Sequence, residues 1–170
     1  LGSLGTGSTT SEAYDLNNHG EVVGVSDTDE TKSYGNRIRH GFVWTPDHGL
    51  ADLGDGRVAL NVAPTNRLTG HSAALAINDQ SDIVGYYEYR VNATQDGYGH
   101  AAYWRQSACA LIPPVPAVAR CPLELVDVHP ASGVPVDTEA VDVNERRQIL
   151  LQSGQTWVLE HRGYLLQPRD

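Results

Sequence analysis

His40 and His100 each head a short apolar stretch, HGFVW and HAAYW, and a paired imidazole is a group that can move protons or bind a metal. A histidine that recurs at the start of a β-prone run has a simpler role. Its ring nitrogens bond to the backbone of a neighbouring turn, and Gln155 heads the third such stretch, QTWVL, where only hydrogen bonding is available. The acidic run SDTDE offers Asp27, Asp29 and Glu30 as hard oxygen ligands for Ca²⁺. It lacks the central glycine and distant glutamate of a full calcium loop, and a solvated acidic loop is the alternative reading. Asp15 and Asp142 each stand two residues before a turn asparagine and are expected to bond local backbone.

Aromatic residues supply the other candidate chemistry. Tyr86, Tyr87, Tyr89 and Tyr98 make up half of the eight tyrosines, and they fall in or beside one stretch, YYEYRVNATQDGYG, together with Arg90. Tyr34 lies in the corresponding earlier stretch, DTDETKSYGNRIR. Tyrosines interleaved with Asn, Gln, Asp and Arg suit a recognition surface, because they join a flat apolar face to a hydrogen-bonding tip. The alternative is a β-extension whose tyrosines cover an edge. Trp44, Trp104 and Trp157 sit inside apolar runs and read as core packing rather than sugar platforms. Asn92-Ala93-Thr94 is a formal glycosylation sequon. No nucleophile elbow, HExxH, CxxC, phosphate-binding loop or dinucleotide-binding glycine pattern is present, so no catalytic residue and no cofactor is assigned.

The formal charge of -9, with Lys32 as the single lysine, repels phosphate and argues against nucleic acid as a partner. No apolar run approaches the ~20 residues needed for a membrane-spanning helix. The absence of methionine and the opening LGSLG point to an N-terminal segment already removed, by signal cleavage or by design. Cys109 and Cys121 bracket the proline-rich ALIPPVPAVAR, as a disulfide staple of an exported protein would, or else are two buried thiols. Such a staple contributes about 3 kcal/mol in the chain-entropy picture.

These residues must be positioned by β-structure. Short Val/Ile/Leu runs are broken by Asn, Asp and Gly, and 17 Gly with 9 Pro supply turns. One phrase returns three times: AYDLNNHGEVVG, ALAINDQSDIVG and AVDVNERRQILL, aligned on Asn17, Asn78 and Asn144 with spacings of 61 and 66 residues. After each come a second element (HGFVW, HAAYW, QTWVL) and a third (GLADLG, LELVDV, GYLL). Each unit therefore reads as two tight hairpins joined by a longer connection, a four-stranded antiparallel meander. The units run over residues 11–54, 72–128 and 138–167, with 1–10 as the tail strand of a preceding unit or a closing strand.

The phrase resembles the HAF-repeat family of bacterial extracellular proteins, whose pattern runs Ala-x-Asp-Ile-Asn-x-x-Gly-x-Val-Val-Gly, then His-Ala-Phe-x-Trp, then Asp-Leu-Gly-x-Leu-Gly. The first unit matches almost throughout, with Gly41 for the family's alanine. The second has Ser81 for the turn glycine and Asp82 at the place of Glu21, and the third has Arg147 and Leu151 where glycines stand. The resemblance implies a β-propeller-like, secreted or periplasmic bacterial protein and carries no established activity.

The expectation is an all-β chain of three four-stranded units, either a partial propeller or a ring closed by oligomerisation. Its function is expected to be non-enzymatic, binding a cell-surface glycan or protein through the long connections. The alternatives are an assembly subunit that forms a homo-oligomer through exposed edges, and an enzyme on a propeller scaffold.

Overall fold

Alternating apolar and polar residues make half-buried strands, and Asn-x-x-Gly or Pro-Asp-His-Gly between them reverses the chain within four residues. The computed structural model describes residues 1–7, 9–32, 35–55, 68–89, 98–106, 123–127, 137–153 and 162–166. Those residues form eleven strands and no helix. The first sheet contains β1 (Ser11–Leu16), β2 (Val22–Thr31), β3 (Arg37–Thr45) and β4 (Gly49–Asp52), in that order and antiparallel throughout. The second contains β5 (Leu68–Ile77), β6 (Ile83–Tyr89), β7 (Tyr98–Gln106) and β8 (Leu123–Asp127), again in sequence order. The third contains β9 (Thr138–Val143), β10 (Ile149–Ser153) and β11 (Arg162–Leu166).

The first strand of each later sheet lies on the preceding sheet: β5 packs on β1, β2 and β3, and β9 packs on β5, β6 and β7. Two slabs of core result. Val23 and Val43 of the first sheet meet Ala74, Ile77, Ile83, Tyr87, Ala102 and Trp104 of the second. On the far side of the second sheet, Ala76, Val84 and Ala101 meet Ala140, Val143, Ile149 and Leu151 of the third. Each fully buried Val, Ile or Leu contributes roughly 1.5–3 kcal/mol.

Close approach sets where side chains are allowed. Each first strand carries a bulge opposite its hairpin partner, between Ala13 and Asp15, between Ala74 and Ala76, and opposite Leu150 and Leu151 in the third sheet. At Gly24 and Gly85 an added Cβ would overlap the carbonyl oxygens of Glu12 and Ala73. In the tight turns the residue three after the asparagine has φ of 75° at Gly20, 60° at Ser81 and 58° at Arg147. Two of the three turns therefore place an ordinary residue in the left-handed region.

Several sequence expectations are corrected. GYLL is not a fourth strand. Leu166 stands opposite Ile149 as Trp44 stands opposite Val22 and Trp104 opposite Ile83, so RGYLL is the third strand of its sheet. Apolar runs such as QTWVL and GYLL look alike in sequence, and only hydrogen-bonded register separates them; QTWVL itself lies outside the described residues. SDTDE is not a loop, because β2 runs on to Thr31 and buries Thr28 between the two aspartates. Residues 1–7, 9 and 10 are not a strand; they run beside the end of β2, held by Gly5 N–H to the Asp27 carbonyl (2.8 Å) and Asp27 N–H to the Thr10 carbonyl (2.9 Å). Cys109 and Cys121 lie outside the described residues.

Tyr87 is 2 % exposed, its ring 5.5 Å from that of His100. Truncating it leaves a large void between two sheets, so Tyr87→Ala is expected to cost about 3–5 kcal/mol in a urea titration. Gly85→Ala is expected to destabilise comparably, by forcing β5 and β6 apart at the bulge.

Candidate functional site

The three turn asparagines do most of the polar work. Each Oδ1 accepts two backbone N–H groups of its own turn: from His19 and Glu21 at 3.1 and 3.0 Å, from Gln80 and Asp82 at 3.0 and 2.9 Å, and from Arg146 and Gln148 at 2.9 and 3.0 Å. Each Nδ2 donates to the side chain four residues on, to Glu21, Asp82 or Gln148. The first two then reach across: Asn17 Nδ2 donates to the Asn78 carbonyl and Asn78 Nδ2 to the Asn144 carbonyl, both at 3.1 Å. Asn18 repeats the reach with its N–H and Nδ2 on the Asp79 carboxylate, at 2.9 and 2.7 Å, and Asp79 N–H donates to Glu145 Oε1 at 3.0 Å. The two Asn18 bonds hold the Asp79 carboxyl below its ordinary range. Asp15 joins in, its Oδ1 on its neighbour Leu16 N–H and its Oδ2 on Ile77 N–H of the next sheet, while Asp142 holds Val143 N–H.

A second shared position links the turns. Ser81 donates its hydroxyl to Glu21 of the preceding sheet, and Arg147 donates Nε to Asp82 at 2.9 Å. Buried Asp82 also accepts the Tyr103 hydroxyl at 2.6 Å. Burial first, and then this bond, hold the Tyr103 hydroxyl well above its ordinary value, so it keeps its proton and serves as a donor.

Beside the first turn lies an open cleft of about 290 Å³ lined by His19, Glu21, Thr45, Pro46, Asp47 and His48. It forms because the β1–β2 and β3–β4 turns emerge at the same end of the sheet. Two imidazoles and two carboxylates around an open hollow suit a small polar or cationic group. Among the described residues no His, Cys, Asp or Glu cluster has metal-binding geometry. The parallel spelling of the two turns, Asn-Asn-His-Gly and Pro-Asp-His-Gly, was the available signal for this cleft in the sequence.

His40 is buried, and its Nδ1 faces both oxygens of Asp52 at 3.0 Å, not turn backbone as expected. Burial disfavours its charged form, but the hydrogen bond and charge of Asp52, backed by Asp55 and Glu30, outweigh burial and hold the ring above its ordinary value. Its Nε2 has no hydrogen-bond partner among the described residues. The calcium candidates serve the N-terminal segment instead: Asp27 Oδ2 takes Thr10 N–H and Oγ1 at 2.9 and 3.0 Å, and Asp29 Oδ1 takes Thr6 N–H and Oγ1 at 2.7 and 3.0 Å. Arg39 approaches Asp27 at 3.4 Å and Arg37 approaches Asp29 at 3.6 Å. Glu30 is exposed at the end of β2.

The tyrosines are divided. Tyr87 belongs to the core between the first two sheets. Tyr86 is half-buried on the other face, its hydroxyl pushed up to about 12 by burial and by the carboxylates of Glu139 and Glu88. Tyr89 and Tyr98 stand opposite each other at the last register position of β6 and β7, flanking the connection between them. Tyr34, Arg90 and Trp157 lie outside the described residues. Trp104 is buried and Trp44 half-buried, as core packing requires. Comparison of the chain with protein-family models, with curated proteins and with solved structures returned no match.

Two outcomes follow. Asn78→Ala leaves buried donors and acceptors of two turns unpaired and is expected to cost about 2–4 kcal/mol in chemical denaturation. His40 is expected to titrate above the ordinary value of about 6.5 by NMR, and Asp52→Asn to bring it down. Because the folded value is raised, this pair stabilises the fold below about pH 6.5 and loses its effect as pH rises through the folded value. Asp52→Asn should therefore cost more stability at about pH 5.5 than at about pH 8.

Proposed function

We propose that the chain is an exported, non-catalytic binding module in which three blade-like repeats form a rigid scaffold and the long connections between second and third strands take the ligand. The reading rests on one observation above all. The tight-turn end of every sheet is tied up in the asparagine ladder, so the backbone at that end has no freedom to vary. The β2–β3 and β6–β7 connections leave from the opposite end, where the three stretches have least sequence in common. Variable loops on a rigid frame are where recognition is built.

The chemistry of that end suits a polar partner such as a cell-surface glycan or a protein. Tyr89 and Tyr98 bring their backbones face to face at the base of YRVNATQDGY, which adds Arg90, Asn92, Gln95 and Asp96. Tyrosines interleaved in the sequence with amide and guanidinium residues supply the apolar and hydrogen-bonding groups that a sugar surface needs. Bacterial export and the HAF-type repeat are part of the same reading. They are supported by the shared turn position of Asn17, Asn78 and Asn144 and by the near-complete match of the first unit to the family phrase.

The test is a glycan array and a surface-protein capture with the purified chain. Tyr89→Ala and Arg90→Ala are expected to abolish the signal while leaving the melting temperature unchanged. Binding that survives both substitutions would defeat the loop reading.

A further inference from the structure

The faces between sheets are built from positions that correspond by register, and the same positions are uncovered at the two ends of the stack. Val23 and Val84 each stand six residues after their turn asparagine; both are buried, covered by the following sheet. Leu150 holds that place in the third sheet and is 42 % exposed, paired across β10 and β11 with Leu165, also exposed. On the other side, Ile77 and Val143 immediately precede their asparagines and are buried against the preceding sheet. Leu16 holds that place in the first sheet and is 67 % exposed.

The polar groups at the two ends are complementary halves of the ladder. Asn144 Nδ2 donates to Gln148 but reaches no further turn, while the Asn17 carbonyl accepts only the Gly20 N–H within its own turn among the described residues. Glu145 N–H occupies the position from which Asn18 and Asp79 donate to the next turn, and Asn18 Oδ1 occupies the position from which Asp79 and Glu145 accept. Ser11 Oγ donates to the Gly2 carbonyl at 2.8 Å, just as Ser72 Oγ donates to the carbonyl of Gly54, so Leu1-Gly2 stands to β1 as Leu53-Gly54 stands to β5.

We infer that the outer face of the third sheet docks on the β1 face of the first sheet of a second copy of this chain, head to tail. Leu150 and Leu165 cover Leu16 of the second copy, and the Asn144 side chain donates to that copy's Asn17 carbonyl. The contact joins two different surfaces, so it propagates into a ring where its rotation closes and into an open chain where it does not. A second copy is the occupant favoured here because each end presents the half of the bond set that the other end lacks. The inference rests on reading the sheets as repeats.

Mass photometry and sedimentation of the full chain, over a dilution series from micromolar to nanomolar, test it. The native chain is expected at two or more copies. Leu150→Lys and Leu16→Glu, both at exposed positions, are each expected to weaken association at least tenfold with unchanged melting, and the two together to restore it through the opposite charges. Glu30→Lys, away from both faces, is the control and is expected to leave association as it is. A chain that is monomeric at every concentration, or association indifferent to both leucine substitutions, overturns the docking. Val84→Lys separates the two ideas. A sharp drop in its melting temperature beside a monomeric native chain leaves the repeats standing and defeats only the docking; a Val84→Lys protein that melts like the native chain defeats the repeat reading itself.

Discussion

The structure depends on one short side chain used twice. In the β1–β2, β5–β6 and β9–β10 turns the asparagine oxygen accepts two backbone N–H groups, and in the first two the amide nitrogen also reaches the next sheet's turn carbonyl. Aspartate has no donor for the outward bond, and glutamine carries its amide one methylene too far to close the turn. Because the acceptor is a backbone carbonyl, the bond holds two sheets at a fixed height and offset. That offset seats the first strand of one sheet on the face of the one before and decides which side chains share each slab of core.

Close stacking then limits side-chain size. Alanines and glycines crowd the contact: Ala73 and Ala74 lie within 3.1 Å of where a Cβ on Gly41 would be, and Ala140 is wholly buried opposite Leu151. The large rings are few: Tyr87 and Trp104 lie in one slab and half-buried Tyr103 beside the other. The polar ladder and the narrow apolar slabs support each other, since a buried turn bond is strong only when water is excluded from it.

Much of this was legible in the chain itself. The thrice-written phrase located the tight turns between the first two strands of each sheet, and Asp15 and Asp142 bond the backbone next to them as Asx side chains at turns do. Other features were hidden, each for a physical reason. Asp27 and Asp29 resemble a solvated cluster until the N-terminal segment, some twenty residues away in sequence, is seen to donate to them. Tyr86 and Tyr87 are adjacent in sequence and differ in fate because neighbouring strand residues face opposite ways, one toward the core and one toward Glu139. The sequence pattern of His40 points to a bond with turn backbone, whereas β4 brings a carboxylate to it.

Local patterning by itself determined the all-β class, the hairpins and their turns, because period-two hydrophobicity and Asn/Gly turn chemistry act over a handful of residues. The tertiary structure alone decided register and neighbours: that RGYLL is a third strand, that Asn17 reaches a carbonyl 61 residues away, and that Leu16 and Leu150 are left open to water. These depend on which sheet stacks on which, and a contact between residues sixty positions apart leaves no mark in the local pattern that either residue must satisfy.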